Sequence, residues 1–126
     1  DQLHNRDERI FTLYNWFIQG EGFNEDEIRT SPGKEDFSED QVKFIKLIIE
    51  EYDILETEIV KYIPDTWGWH RFVPMEKAAL VNAAAEILLA NNKKAIVIDA
   101  TLQFAKRYSG LSAKALLHAI IDKIGN

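Results

Sequence analysis

Basic side chains in the last third of this chain are the groups with the most chemistry to offer. Lys93-Lys94, Lys106-Arg107, Lys114 and Lys123 fall close together in sequence. Arg6 and Arg9 stand three apart near the start, a spacing that puts them on one face of a helix. Cations grouped at helix ends can hold phosphates, and aromatic rings beside them can stack on unpaired bases. A plainer source also fits Lys106-Arg107: they end a helical segment, where the backbone dipole alone favours positive charge.

The other reactive groups are sparse. His4, His70 and His118 each lack a second histidine at ligand spacing, so no zinc or di-iron site is expected. His118 and Asp122 are four apart on one helix, which suits an acid–base pair and equally an ordinary intrahelical contact. Gly20-Glu21-Gly22 lacks the third glycine and preceding strand of a phosphate loop and reads as a helix end. Glu25-Asp26-Glu27 lacks the calcium-loop pattern and reads as a solvated loop. No set of groups converges by spacing on catalysis, and no cofactor is expected.

Composition narrows the classes further. The chain has 126 residues, 46% hydrophobic and 29% charged, enough for a real core. There is no cysteine, which removes disulfides, thiolate metal sites and cysteine nucleophiles and fits a reducing, cytoplasmic setting. No apolar run approaches the roughly 20 residues needed to span a membrane. The most apolar stretch, Ala78 to Ala90, is broken by Asn82 and Glu86. The sequence opens on Asp1 without a signal-peptide pattern, and its one methionine is Met75, so an upstream start is expected. Net charge is −6, unevenly spread: residues 1–66 carry 17 acidic and 7 basic residues, and residues 67–126 carry 4 and 8. That asymmetry suits a basic face that meets a polyanion, or simply an acidic half with a solvated surface.

These groups must be positioned by helices. Ile10, Leu13, Tyr14, Phe17 and Ile18 trace one face of a first helix, ended by Gly20 and Gly22. Residues 21–36 form a polar loop with a Ser31-Pro32-Gly33 turn and one short helical turn near Asn24–Ile28. Ser38 and Gln41 open a second helix as a capping box, with Phe37 stapled to Val42, and Ile45, Ile48, Ile49 and Tyr52 as its buried stripe. Asp53 and Glu56 read as a further cap pair, opening a helix that buries Leu55, Ile59, Tyr62 and Ile63 and ends at Pro64. Trp67 to Phe72 is a connector. Helices at about 74–90, 94–108 and 112–124 follow. Pro74 opens the first, Asn91-Asn92 closes it, and Gly110 stops the second, which buries Val97, Ala100, Thr101, Phe104, Ala105 and Tyr108. Ser112 caps the third, with Leu111 and Leu116 as a staple. No strand pattern competes. The expectation is an all-α chain of six to seven helices in two packed three-helix bundles. It would form one domain, 1–126, with subdomains 1–66 and 67–126.

The order of residues adds a resemblance. Leu13-Tyr14-Asn15-Trp16 comes first, then Trp67, Trp69 and Arg71-Phe72. Met75-Glu76-Lys77-Ala78-Ala79-Leu80 and Ala84-Ala85-Glu86-Ile87 follow. Val97-Ile98-Asp99-Ala100-Thr101 then leads to Ala105-Lys106 and Tyr108, and Leu116-Leu117-His118-Ala119 to Asp122-Lys123. This ordered set resembles the NusB family of transcription antitermination factors. The resemblance implies two three-helix bundles and a non-enzymatic role. It implies binding of boxA-type single-stranded RNA together with the small-subunit ribosomal protein NusE, in a complex that helps RNA polymerase read through terminators. It also implies a monomer or weak homodimer without cofactor or metal. Carried over by position, the RNA surface would be Arg6, Arg9, Tyr14, Lys114, Leu116, His118 and Asp122, and the protein contact Glu76 and Ala85.

The departures matter. The family's arginine-rich start is reduced to Arg6 and Arg9, with Asp7 and Glu8 between them. Leu116 stands for a phenylalanine and cannot stack on a base. His118 stands for an asparagine, Val81 for an arginine, Ala85 for an aromatic residue, and Asp99-Ala100 for an asparagine–glutamate pair. These changes keep open two other readings on the same scaffold. One is a protein-interaction module with weakened RNA binding; the other is an accessory factor in ribosomal RNA maturation.

Overall fold

The computed structural model describes residues 2–20, 23–29, 37–108 and 114–126. The expected features at Glu21-Gly22, Ser31-Pro32-Gly33, Gly110, Leu111 and Ser112 lie outside the described residues. The described residues form seven α-helices: α1 Gln2–Gln19, α2 Glu25–Arg29, α3 Glu39–Glu50, α4 Tyr52–Val60, α5 Pro74–Leu88, α6 Lys94–Tyr108 and α7 Lys114–Lys123. A short 3-10 turn, Trp69–Arg71, precedes α5. Among the described residues there is no strand, as the periodicity requires.

Local chemistry sets most boundaries. The Ser38 hydroxyl accepts from the Gln41 backbone N–H and caps α3. The Asn24 side chain accepts from the Glu27 N–H at 3.2 Å and does the same for α2. At α5, Pro74 sits in the first turn, and the Glu76 carboxylate reaches back to the Val73 N–H at 3.2 Å. Asn91 takes φ 55°, the left-handed conformation asparagine tolerates, in the connection that follows α5. Gly68 takes φ 74° and ψ 147°, backbone open essentially to glycine alone; a Cβ there would lie 2.8 Å from the His70 ring.

Three boundary expectations need correction. Asp53 and Glu56 do not cap α4: the helix starts at Tyr52, directly after Glu51, whose N–H still bonds to Leu47 O of α3 at 2.9 Å. Gln41 does not complete a capping box, because its amide turns inward to Asn5 O and Arg9. Ile18 is 58% exposed, so the apolar face of α1 is covered only as far as Phe17.

α5 is the hub. Ala78, Ala79, Leu80, Val81, Ala83, Ala84 and Ala85 are all buried, so it is covered on every side. Its alanines let neighbouring backbones come close, and α1, α3, α4, α6 and α7 all pack on it. One core joins Ile10, Leu13, Ile48, Leu55, Ile59, Phe104, Leu117, Ile120 and Ile121 around this helix. Each such side chain contributes about 1.5–3 kcal/mol on burial. A smaller cluster, Ile28, Val42 and Ile45 with Phe23 and Phe37, fixes α2 on α3. Tyr108, at the end of the α6 stripe, stays 46% exposed although its ring packs on Phe11 and Phe104.

Candidate nucleic-acid interface

Two clefts bring together several of the basic residues singled out above. The larger, about 680 Å³, lies between α1, α3 and the α5–α6 connection and is lined by Arg6, Arg9, Gln41, Phe44, Glu86, Asn92 and Lys93, among others. Its floor is a buried polar network. The Glu86 carboxylate, in α5 and wholly out of solvent, accepts from Arg6 Nε at 2.7 Å and Arg6 Nη2 at 2.8 Å. It also accepts from Arg9 Nη2 at 3.1 Å, Asn82 Nδ2 at 2.7 Å and Asn92 Nδ2 at 2.9 Å. Arg9 further donates to Asn82 Oδ1 at 2.6 Å and Gln41 Oε1 at 2.9 Å, and its guanidinium lies 4.9 Å from the Phe44 ring centre.

The electrostatics follow from this geometry. Burial alone would raise the Glu86 carboxyl, but the Arg6 hydrogen bonds and the charges of Arg9 and Arg6, helped by Asn92, outweigh it and hold the group down at about 2. The hydrogen bond from Glu86 raises Arg6 above its ordinary value against burial, whereas burial pulls Arg9 below it despite Glu86. Glu86 is therefore charged at neutral pH, as guanidinium groups are in general.

The second groove, about 160 Å³, lies between α6 and α7 and is lined by Asp99, Leu102, Gln103, Lys106 and Lys114. Lys114, His118 and Asp122 follow one another at four-residue spacing on α7, and all three are exposed. Ile96, Asp99, Gln103 and Lys106 share a face of α6 by their spacing, so that face runs from the larger cleft to this groove.

Several expected site residues lie elsewhere. Arg6 and Arg9 are each 8% exposed and committed to Glu86, so they are not free phosphate grips; they lock α1 onto α5. Glu76 is 5% exposed and bound to the Val73 N–H, and Ala85 is fully buried, so neither offers a contact to a partner. Leu116 is partly buried against the core, and Tyr14 packs half-buried on α1. Lys114, His118 and Asp122 remain on one surface, while Arg6 and Arg9 line a different cleft.

Sequence reasoning missed the network around Glu86. Its signal was the pair Asn82 and Glu86, four apart in an otherwise apolar helix, because a buried charge must be matched. Arg107 was also more than a helix-end cation: its Nη2 donates to Asp7 Oδ1 and Oδ2 at 3.0 and 2.9 Å, joining α6 to α1.

Among the described residues no cluster of three or more acidic, histidine or cysteine side chains could hold a metal ion, and no helix is long and apolar enough to cross a membrane. The architecture defines an all-helical bundle protein, built on a buried central helix and carrying charged surface grooves. The chain belongs to the NusB family, whose model matches residues 4–126. It is 33% identical over 101 residues to Transcription antitermination protein NusB of Sulfurovum sp. (strain NBC37-1), covering 80% of this chain and 73% of that protein. It is 25% identical over 85 residues to the protein of the same name from Trichormus variabilis (strain ATCC 29413 / PCC 7937), covering 68% of this chain and 40% of that one. No solved structure matches significantly.

Proposed function

We propose that this chain is a transcription antitermination factor that binds boxA-type single-stranded RNA with the ribosomal protein NusE, as part of a cytoplasmic RNA polymerase complex. The family match over residues 4–126 carries this reading. The groove of α6 and α7 supports it, because Lys106 and Lys114 are both exposed there and outnumber its one acid, Asp99. Lys114 would grip a phosphate, and His118 and Asp122 would offer hydrogen bonds to base edges along α7. Arg6 and Arg9 act one step back, by fixing the start of α1.

The test is binding of a labelled boxA-type RNA by the full chain, alone and with NusE, across a salt series. Affinity is expected to fall steeply, with log K changing by about −0.7 per phosphate contact for each unit of log salt. Absence of binding both with and without NusE overturns the reading. The acidic half, residues 1–66, and the commitment of both N-terminal arginines to Glu86 favour a second reading, a protein-interaction module with reduced RNA affinity. Under that reading a protein partner is recovered unchanged after nuclease treatment.

A further inference from the structure

We infer that Arg107 and Tyr108, at the C-terminal end of α6, form a nucleotide subsite for single-stranded RNA, with Asp7 as an internal anion that competes with the phosphate. This rests on the RNA-binding reading above and adds a place on the surface that reading does not assign.

Three observations meet here. First, Tyr108 is an aromatic ring left 46% exposed, yet it is held in place: its centroid lies 4.9 Å from Phe11, edge to face, and 4.8 Å from Phe104. A ring already fixed by its neighbours loses little freedom when a base stacks on it, and any base can stack. Second, the Arg107 guanidinium lies 5.5 Å from the centre of that ring and is about one-third exposed. Among the described residues, Asp7 engages Nη2 of this group, which has five N–H donors in all, and a phosphate oxygen can take further donors. Third, Lys106 precedes the pair and lines the adjacent groove with Lys114 and one acid, Asp99, so the groove keeps a net positive charge that favours an anion.

Asp7 gives the site its particular character. Its carboxylate is 16% exposed and sits on the guanidinium that a phosphate would use. RNA binding must work against that charge, which tunes the subsite down and leaves it dependent on salt.

The experiment is a set of titrations of full-length chain against a fluorescein-labelled boxA-type single-stranded RNA over a salt series, with thermal melts of every variant. Tyr108→Ala is expected to weaken binding about tenfold, a stacking loss, with the salt slope unchanged. Tyr108→Phe keeps the ring and should bind like the parent, which separates stacking from loss of fold. Arg107→Gln is expected to weaken binding and flatten the slope by about 0.7, one phosphate contact. Asp7→Asn should tighten binding about threefold, and the gain should vanish when Arg107→Gln is added. If the parent binds RNA with a steep slope and all of these variants match it, the subsite is wrong and the RNA reading stands. If the parent binds no RNA, the functional reading fails and the subsite with it.

Discussion

The guanidinium of Arg6 in α1 meets the carboxylate of Glu86 in α5, 80 residues away in sequence, in a two-bond fork 2.7 and 2.8 Å long. Arg9 adds a third bond to the same carboxylate. Two buried cations thus share one buried anion, and the amides of Asn82, Gln41 and Asn92 satisfy much of what remains.

Removing that anion should be costly. Glu86→Ala strands two guanidinium groups away from water and is expected to destabilise the fold by about 3–5 kcal/mol. Equilibrium urea unfolding measures it. A loss within 1 kcal/mol of zero would mean that water reaches the arginines freely.

The same carboxylate sets an acid limit. Its folded value, about 2, lies below the ordinary 4.5, so its contribution is complete above the ordinary value and is lost as pH falls through about 2. The contribution at stake is about 3 kcal/mol. Urea midpoints of the parent should drop between pH 5 and pH 2 more steeply than those of Glu86→Gln, which has no charge to lose there.

Gly68 should tolerate no side chain. Gly68→Ala is expected to cost about 1–3 kcal/mol, because its backbone lies where only glycine is comfortable and the new methyl meets the His70 ring. Comparison of Gly68→Ala with Gly68→Ala/His70→Ala in thermal melts separates the two causes: the backbone part persists in the double variant.

The alanine face of α5 should resist enlargement. Ala84 is fully buried where neighbouring helices approach, and Ala84→Leu is expected to lower stability by about 1–3 kcal/mol. An enlarged exposed position, such as Ala115→Leu on α7, should stay near the parent in the same denaturation series.

Helix positions were legible in this sequence, because their signals are local. Pro74 and Asn91 mark the ends of α5, and Ser38 marks the start of α3, each through its own backbone chemistry. The assignment of Arg6 and Arg9 was not legible. Three-residue spacing puts them on one face, but that spacing is the same for a pair facing water and a pair facing Glu86. Which holds depends on where α5 lies. Similarly, Glu76 and Ala85 were assigned to a protein contact by their place in the family resemblance, and their burial follows from α5 being covered by its neighbours. Among the residues assigned to RNA, Lys114, His118 and Asp122 do lie on one exposed stripe; whether that stripe meets RNA is a matter of chemistry with a partner, which periodicity does not encode.

Asn92 accompanies this arrangement into the α5–α6 connection. Its backbone N–H bonds to Glu86 O at 2.9 Å while its side chain bonds to the Glu86 carboxylate. The residue that locks α1 therefore also sets the heading of α6. In evolutionary terms, positions 6, 9, 82, 86 and 92 amount to a single inherited character. A lineage that loses one of them either repairs the set or re-aims the helix that carries Lys106 and Arg107, so these positions are expected to vary together across relatives rather than one at a time.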